Sequence, residues 1–384
     1  MSADGGIRTA NGYDEASGLF CCNMPVVTVP DQPTKDDALQ ALEYLRRAFR
    51  TFPFADGEHE FDAALGVDVI VGDPGMDEST FLCGLLTAAC RPSLPLAPAL
   101  VCNAPDTSGS RVGKGKLMRA AAIIGSGAAP EAFTKGRSED ELDKRISSSL
   151  MEGLPTVFRS ALTEDPCKIR RLGTNDNVRI NSRSFFVITG NGLQLAEDLV
   201  GRVILLNLDA RMENPGSRPF PPGFVDEIFA RRSELLGACL TIWRWGRQNK
   251  MAGGQPMGSF EVRAQWCRDP LLTLGCKDPV ARGDEIRAKD PVRRAIVETY
   301  EMWWLKHQNG WVRAAELAPE VIETIDQNAT RRIDGSLAYN RQRVTRWLAS
   351  HTGTRIGGYV LEEMPTPNRS RPVLRHRLIK EGEL

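Results

Sequence analysis

Only four histidines occur in the 384 residues, and none of the nine cysteines stands in a CxxC pair. Cys21, Cys22, Cys83, Cys90, Cys102, Cys167, Cys239, Cys267 and Cys276 are an odd set, and no histidine lies near them at zinc-finger spacing. A structural zinc site or a disulfide framework is not expected, and reduced thiols point to the cytoplasm. There is no apolar run of 18 residues, so no membrane span is expected. The start MSADGGIRTANGYDE has neither the basic residues nor the apolar stretch of a signal peptide. Net charge is also lacking, with Lys+Arg 49 balanced by Asp+Glu 49. Repeats and low-complexity tracts are absent, and no clustered Ser/His/Asp or metal-hydrolase motif occurs.

What is present is ordinary globular composition, 41% hydrophobic and 26% charged, in a length that suits two or three domains of about 150 residues. Charge is distributed unevenly. Residues 1–66 carry 11 acids against 5 bases, and residues 331–384 carry 11 bases against 5 acids. A basic C-terminal block suits an anionic partner such as nucleic acid.

Periodicity supplies the elements. Residues 36–49 place Leu39, Leu42, Leu45 and Phe49 on one helical face behind an acidic first turn. Residues 66–72 suit a strand and 80–90 a helix. Three brief apolar runs, 99–103, 184–189 and 202–209, read as buried strands separated by helical stretches. That pattern predicts a parallel sheet with crossover helices. Helices are also expected across 224–247. Residues 248–290, rich in Gly, Pro and charge, read as a linker region. After it, helix patterns at 292–306, 312–325 and 340–350 precede two extended runs, 354–361 and 372–379. Three helices and a β-hairpin predict a winged helix. The expected organisation is 1–65 packing on the core, 66–247 as an α/β core, 248–290 as the linker and 291–384 as the winged-helix domain.

One loop carries chemistry. Residues 104–117, APDTSGSRVGKGKL, lie between a buried strand and a helix, where a phosphate-binding loop belongs. Small residues let backbone N–H groups face phosphates, the helix N-terminus adds partial positive charge, and a lysine bridges the outer phosphates. Lys114 is the candidate lysine, with Gly109, Ser110 and Gly113 as the cradle and Gly115 and Lys116 opening the helix. The match to GxxxxGK[ST] is partial. Ser108 replaces the first glycine, and Gly115 stands where a Ser or Thr hydroxyl would ligate Mg²⁺.

GYDEASGLF near the start, FRTFPFAD at 49–56, the loop, DELDKRISSSL, ALTEDPCKIRRLG and SFFVITGNGLQLAEDLVGRVILLNLDARMENPGSRPF follow in that order. Together they resemble the ATPase/helicase half of the primase–helicase proteins of phages, plasmids and integrative elements, over about residues 12–285. The resemblance implies a RecA/AAA+-like P-loop fold related to superfamily 3 helicases, with a parallel sheet covered by helices on both faces. It implies ATP with Mg²⁺ carried mainly by the nucleotide, DNA as substrate, a homo-oligomeric ring, and a primase fused or in trans. Lys114 matches the Walker lysine, Asn191 the polar residue that senses the γ-phosphate, and Arg202 the arginine offered to a nucleotide across a subunit interface.

The chain departs from that pattern at Arg111-Val112, which interrupt the loop, and at Gly201, where a second arginine is common. It also lacks the Walker B strand expected after LMEGLP; Asp209, ending VILLNLD, is the substitute carboxylate to consider, with Glu164 and Asp165 behind it. The expected activity is therefore an ATP-dependent helicase or translocase acting in replication. The alternatives are a catalytically impaired ATPase that binds DNA as a replication or copy-control accessory, and a winged-helix regulator whose core only senses nucleotide.

In the last module Arg341, Arg343 and Arg346 fall on the third helix and Arg355 at the start of the hairpin, as candidate DNA contacts. Arg369, Arg371, Arg375 and Arg377 lie in or beyond the turn. Trp303, Trp304, Trp311 and Trp347 read as core.

Overall fold

Thr34 opens the first long helix of the computed structural model by a reciprocal cap. Its hydroxyl accepts the Asp37 N–H at 3.1 Å while Asp37 accepts the Thr34 N–H at 2.8 Å. The structure describes residues 1–15, 19–21, 24–130, 167–170, 177–180, 183–193, 195, 197–365 and 374–382. Glu164, Asp165, Arg369, Arg371 and the place expected for a Walker B strand lie outside the described residues. The chain divides into two units, Met1–Gly283 and Asp284–Leu384.

The first unit starts with a short antiparallel pair, β1 (Gly12–Asp14) and β2 (Leu19–Cys21). The capped helix is α1 (Lys35–Phe49), with Asp36 and Asp37 in its first turn and Arg46 and Arg47 in its last. It buries Ala38, Ala41, Leu42, Leu45 and Phe49; Leu39, expected on that face, is exposed instead. Hairpin β3 (Glu58–Asp62) and β4 (Val67–Val71) follows. Helix α2 (Met76–Cys90) starts ahead of its apolar run because the Asp56 carboxylate accepts the N–H groups of Met76 and Asp77. It is buried on nearly all sides.

Strand β5 (Ala99–Asn103) leads through the loop to α3 (Lys114–Ser126). Among the described residues two antiparallel strands come next, β6 (Cys167–Arg170) and β7 (Asn177–Ile180), then β8 (Val187–Thr189) and β9 (Val203–Asn207). The sheet order is β8-β5-β9, all parallel, so the expected parallel sheet is present with β5 at its centre. Helices α4 (Phe224–Ala230) and α5 (Arg232–Gln248) complete the core. Phe49, Phe52, Phe81, Phe220 and Phe224 form one aromatic cluster, with Phe49–Phe81 centroids 4.6 Å apart and Phe52–Phe220 5.2 Å apart. Of residues 248–290, expected as a linker, those up to 283 belong to this unit, with Met257, Phe260, Trp266, Cys267, Leu271 and Leu274 buried in its core.

The second unit begins in a short helix, Gly283–Lys289, and continues into α6 (Pro291–His307), capped by the Asp290 carboxylate on the N–H of Val292 and with Pro291 in its first turn. Strand β10 (Val312–Arg313) and helix α7 (Pro319–Ile325) lead into a two-stranded hairpin, β11 (Thr330–Arg331) and β12 (Leu337–Ala338). Helix α8 (Arg341–His351) is followed by β13 (Arg355–Ile356), β14 (Tyr359–Pro365) and β15 (Leu374–Lys380). These strands form an antiparallel sheet in the order β10-β15-β14-β13. Ile296, Tyr300, Trp303, Val321, Ile322, Val344, Leu348, Leu361 and Leu378 make its core, with Trp304 and Trp347 packed against it. Among the described residues no helix of the chain is long and apolar enough to cross a membrane.

Candidate functional site

The chain leaves the central strand β5 at its C-terminal end with a parallel neighbour on each side, the edge of an open parallel sheet where ligands generally bind. Asn103, the last residue of β5, ties that end together. Its Oδ1 accepts the Leu193 N–H at 2.9 Å, and its amide donates to Asn207 Oδ1 at 3.3 Å. Pairing continues past β8, where Gly190 N–H donates to Cys102 O and Gly192 N–H to Ala104 O.

The loop folds tightly under the helix that follows. A side chain at Gly109 would stand 2.0 Å from the Pro105 carbonyl. Gly113 caps α3 with φ +104°, and a Cβ there would lie 3.1 Å from the Phe52 ring. Arg111 takes φ +64°, an unusual conformation for a long side chain. Helix α3 begins at Lys114, so its first N–H groups lie at the C-terminal end of the sheet.

Lys114 and Asn191, 77 positions apart, come together. The ammonium donates to Gly109 O and to Asn191 Oδ1, each at 2.6 Å. Both acceptors are neutral, and among the described residues no carboxylate pairs with it. Burial lowers the Lys114 pKa below its ordinary value. Cys102 lies close below, its thiol pushed up to about 12 by burial. Lys116 sits over the Phe220 ring, 4.2 Å from its centroid. Ser110 and Gly115 are exposed, and nothing approaches the open side of Gly115.

Asp209 also lies at this end of the sheet, just beyond β9. Its N–H donates to Pro53 O, and its Oδ1 accepts the Arg211 N–H at 2.8 Å in a local turn. Arg202 is elsewhere. It immediately precedes β9, which runs parallel to β5, so the five residues of that strand, about 16 Å, separate it from the Lys114 end. Among the described residues its guanidinium has no partner.

Asp77 was not legible in the sequence. Its side chain, 1% exposed, accepts the Asn207 N–H at 2.7 Å and pairs with Arg282, which also donates to Leu205 O at 3.0 Å. Burial raises the Asp77 carboxyl to about 6, outweighing the opposing pull of Arg282 and the Asn207 N–H. The pair satisfies backbone groups of β9.

In the second unit the expected DNA-contact arginines divide. Arg341 and Arg346 are exposed on α8. Arg343 pairs with the buried Asp326 at 3.0 Å, and Arg355 lies 3.7 Å from Glu381. Arg377 pairs with Glu362 at 2.9 Å and stacks on Trp311, 4.6 Å from its centroid. Among the described residues no group of three or more His, Cys, Asp or Glu could hold a metal ion.

No protein-family model matches the chain, and no curated protein matches it. Among solved structures, the A form apo structure of the NrS-1 C-terminal region is similar at 12% identity and TM-score 0.38, over 85% of this chain and 84% of that one. A second apo structure of the NrS-1 C-terminal region is similar at 11% identity and TM-score 0.38, over 92% of this chain and 77% of that one.

Proposed function

We propose that residues 104–116 hold the phosphates of ATP and that the chain is an ATP-dependent DNA helicase- or translocase-like protein of a mobile genetic element, acting in replication. The observation that carries the phosphate site is Lys114. It is a half-buried ammonium with two neutral acceptors, on the first residue of a helix, at the C-terminal edge of a parallel sheet. A buried cation without a counter-charge is stabilised by an arriving anion, and the helix N-terminus favours the same sign. The motif order beyond the loop supports the helicase reading.

Bound ATP would supply the phosphoryl group whose transfer drives movement. Lys114 would exchange Gly109 O and Asn191 Oδ1 for phosphate oxygens, leaving the Asn191 amide to orient water. Arg202, remote from Lys114 within one chain, would serve the nucleotide of a neighbouring copy in a homo-oligomeric ring. The second unit would be a winged helix that presents α8 to DNA through the exposed Arg341 and Arg346. A primase is the partner the motif order implies.

The described residues do not fit a dedicated Mg²⁺ site. Gly115 offers no hydroxyl, Asp209 is engaged by the Arg211 N–H, and Asp77 is closed off by Arg282. These three observations favour a second reading, an impaired ATPase that binds nucleotide and DNA as a replication accessory. ATP hydrolysis measured with and without single-stranded DNA separates the two, with Lys114→Ala as control. DNA-stimulated turnover lost in Lys114→Ala supports the motor. ATP binding without turnover supports the accessory. Nucleotide binding unchanged in Lys114→Ala refutes the phosphate site itself.

A further inference from the structure

Hairpin β11–β12, inserted between α7 and α8, ends in an apolar side chain that the fold does not use. Arg332 N–H donates to Ser336 O at 2.8 Å and Gly335 N–H to Arg332 O at 3.0 Å, with Gly335 at φ +81° closing a three-residue turn. Ile333 stands in this turn at 109% exposure. A β-branched apolar residue at a turn tip works against both turn chemistry and solvent, and a local rule broken without a gain in the fold marks function.

The base of the hairpin is rigid. Leu337 and Tyr339 pack on the core, and Arg331 clamps Glu323 of α7 with contacts of 2.7 and 3.2 Å. Asp326, 2% exposed, accepts the Asn340 N–H at 2.8 Å and the Arg343 guanidinium at 3.0 Å, locking the hairpin to the start of α8. Arg331 is thus engaged by Glu323 and Arg343 by the buried Asp326, both contacts tying the hairpin to its neighbours. Arg332, Arg341 and Arg346 carry no carboxylate partner among the described residues.

An anchored arm with an apolar tip, a guanidinium at its flank (Arg332) and two more on the helix that follows it (Arg341 and Arg346) has the chemistry of a groove wedge. Cations hold phosphates while an aliphatic side chain enters a base step and partly unstacks it. The arm extends about 10 Å from its base, at about 3.3 Å per residue, enough to cross a minor groove about 7.5 Å deep. We propose that Ile333 is such a wedge, entering a base step of duplex DNA that Arg332, Arg341 and Arg346 hold by its phosphates; this rests on the DNA-binding reading of the second unit.

The test uses the full chain and a short duplex carrying 2-aminopurine at successive steps. Anisotropy at several salt concentrations gives affinity, and 2-aminopurine fluorescence reports unstacking. The parent should raise fluorescence at one or two adjacent steps. Ile333→Ser, an exposed change that leaves the fold intact, should abolish that rise and weaken binding about tenfold without changing the salt slope. Arg341→Ala with Arg346→Ala should lower the salt slope by about 2 and leave the fluorescence rise at saturation. If Ile333→Ser keeps the parent's fluorescence rise and affinity while the arginine variant loses affinity, the wedge is wrong and DNA binding stands. If neither variant changes binding, or no duplex binds, the DNA-binding reading of the unit fails and the wedge with it.

Discussion

Replacing Asn191 by aspartate tests whether Lys114 is a poised phosphate ligand or a structural lysine. The amide oxygen accepts the ammonium at 2.6 Å, and the change places a full negative charge there with almost no change in size. A hydrogen bond with one charged partner is worth about 1.5–3 kcal/mol, and a full charge on the acceptor adds about 1–2 kcal/mol of Coulomb attraction at about 2.8 Å and a permittivity near that of water. Releasing the lysine to an incoming phosphate would therefore cost about 1–2 kcal/mol more. The new carboxylate would also face the phosphates at about 6 Å, adding about 1–3 kcal/mol of repulsion at an effective permittivity of 20–40. The sum is about 2–5 kcal/mol, so affinity should fall by about 30-fold or more. Asn191→Ala acts in the opposite sense. It removes a neutral competitor for the ammonium, so ATP should bind as tightly as in the parent or up to about fivefold tighter. Titration of a fluorescent ATP analogue in chelator, with thermal unfolding to confirm the fold, reads both variants. Binding by Asn191→Asp within twofold of the parent, or an equal loss in both variants, would refute the poised lysine.

The Asp77–Arg282 pair should behave as a buried pair that resents losing one member. Arg282→Met should cost about 3–5 kcal/mol of stability at pH 8, measured by urea unfolding. Burial raises the Asp77 carboxyl from its ordinary value of 3.8 to about 6, so the native state holds this proton more tightly than the unfolded chain. Its contribution to stability is complete below about pH 4 and declines as pH rises to about 6, by on the order of 3 kcal/mol. Asp77→Asn should remove that slope, and an unchanged stability profile between pH 4 and 7 would refute it. Gly113→Ala should cost about 1–3 kcal/mol, since alanine must adopt φ +104° with its Cβ 3.1 Å from Phe52. Thermal unfolding and ATP titration should both register the loss.

Local pattern made the core of the candidate site legible. The run at 99–103 reads as a buried strand, the small-residue loop follows it, and TGNG ends another strand, so Lys114 and Asn191 could be named although 77 positions separate them. Asn103 escaped because it ends an apolar run and its two partners lie on other strands. Asp77 and Arg282 escaped because only tertiary folding brings a helix start, a strand edge and a turn 205 positions away into one contact. Residues 248–283 looked like a linker because their apolar residues keep no single period. The π-helical turn Ala264–Arg268 shifts the helical phase between Phe260 and Leu271. Arg343 shows the limit of counting charges on a helix: its position matches that of a DNA contact, yet its guanidinium is engaged by Asp326.

The two flanks of β5 are held by different forces, and that difference would matter for the proposed phosphate site at its end. On the β9 side, Asp77 and Arg282 satisfy backbone groups of the strand, and the chain at Pro53–Ala55 crosses its end with the bonds Ala55 N–H to Asn207 O and Asp209 N–H to Pro53 O. A buried ion pair with satisfied donors resists displacement, because opening it exposes two uncompensated charges. On the β8 side, among the described residues, the strand pairs with β5 alone, and the turn after it is held by neutral hydrogen bonds and by Lys114. Neutral hydrogen bonds near solvent exchange with water at little net cost. Drawing Lys114 onto a phosphate would remove one of the contacts that hold this turn while leaving the β9 flank untouched. Any movement coupled to nucleotide would therefore begin at residues 190–193, on the flank where Asn191 is released.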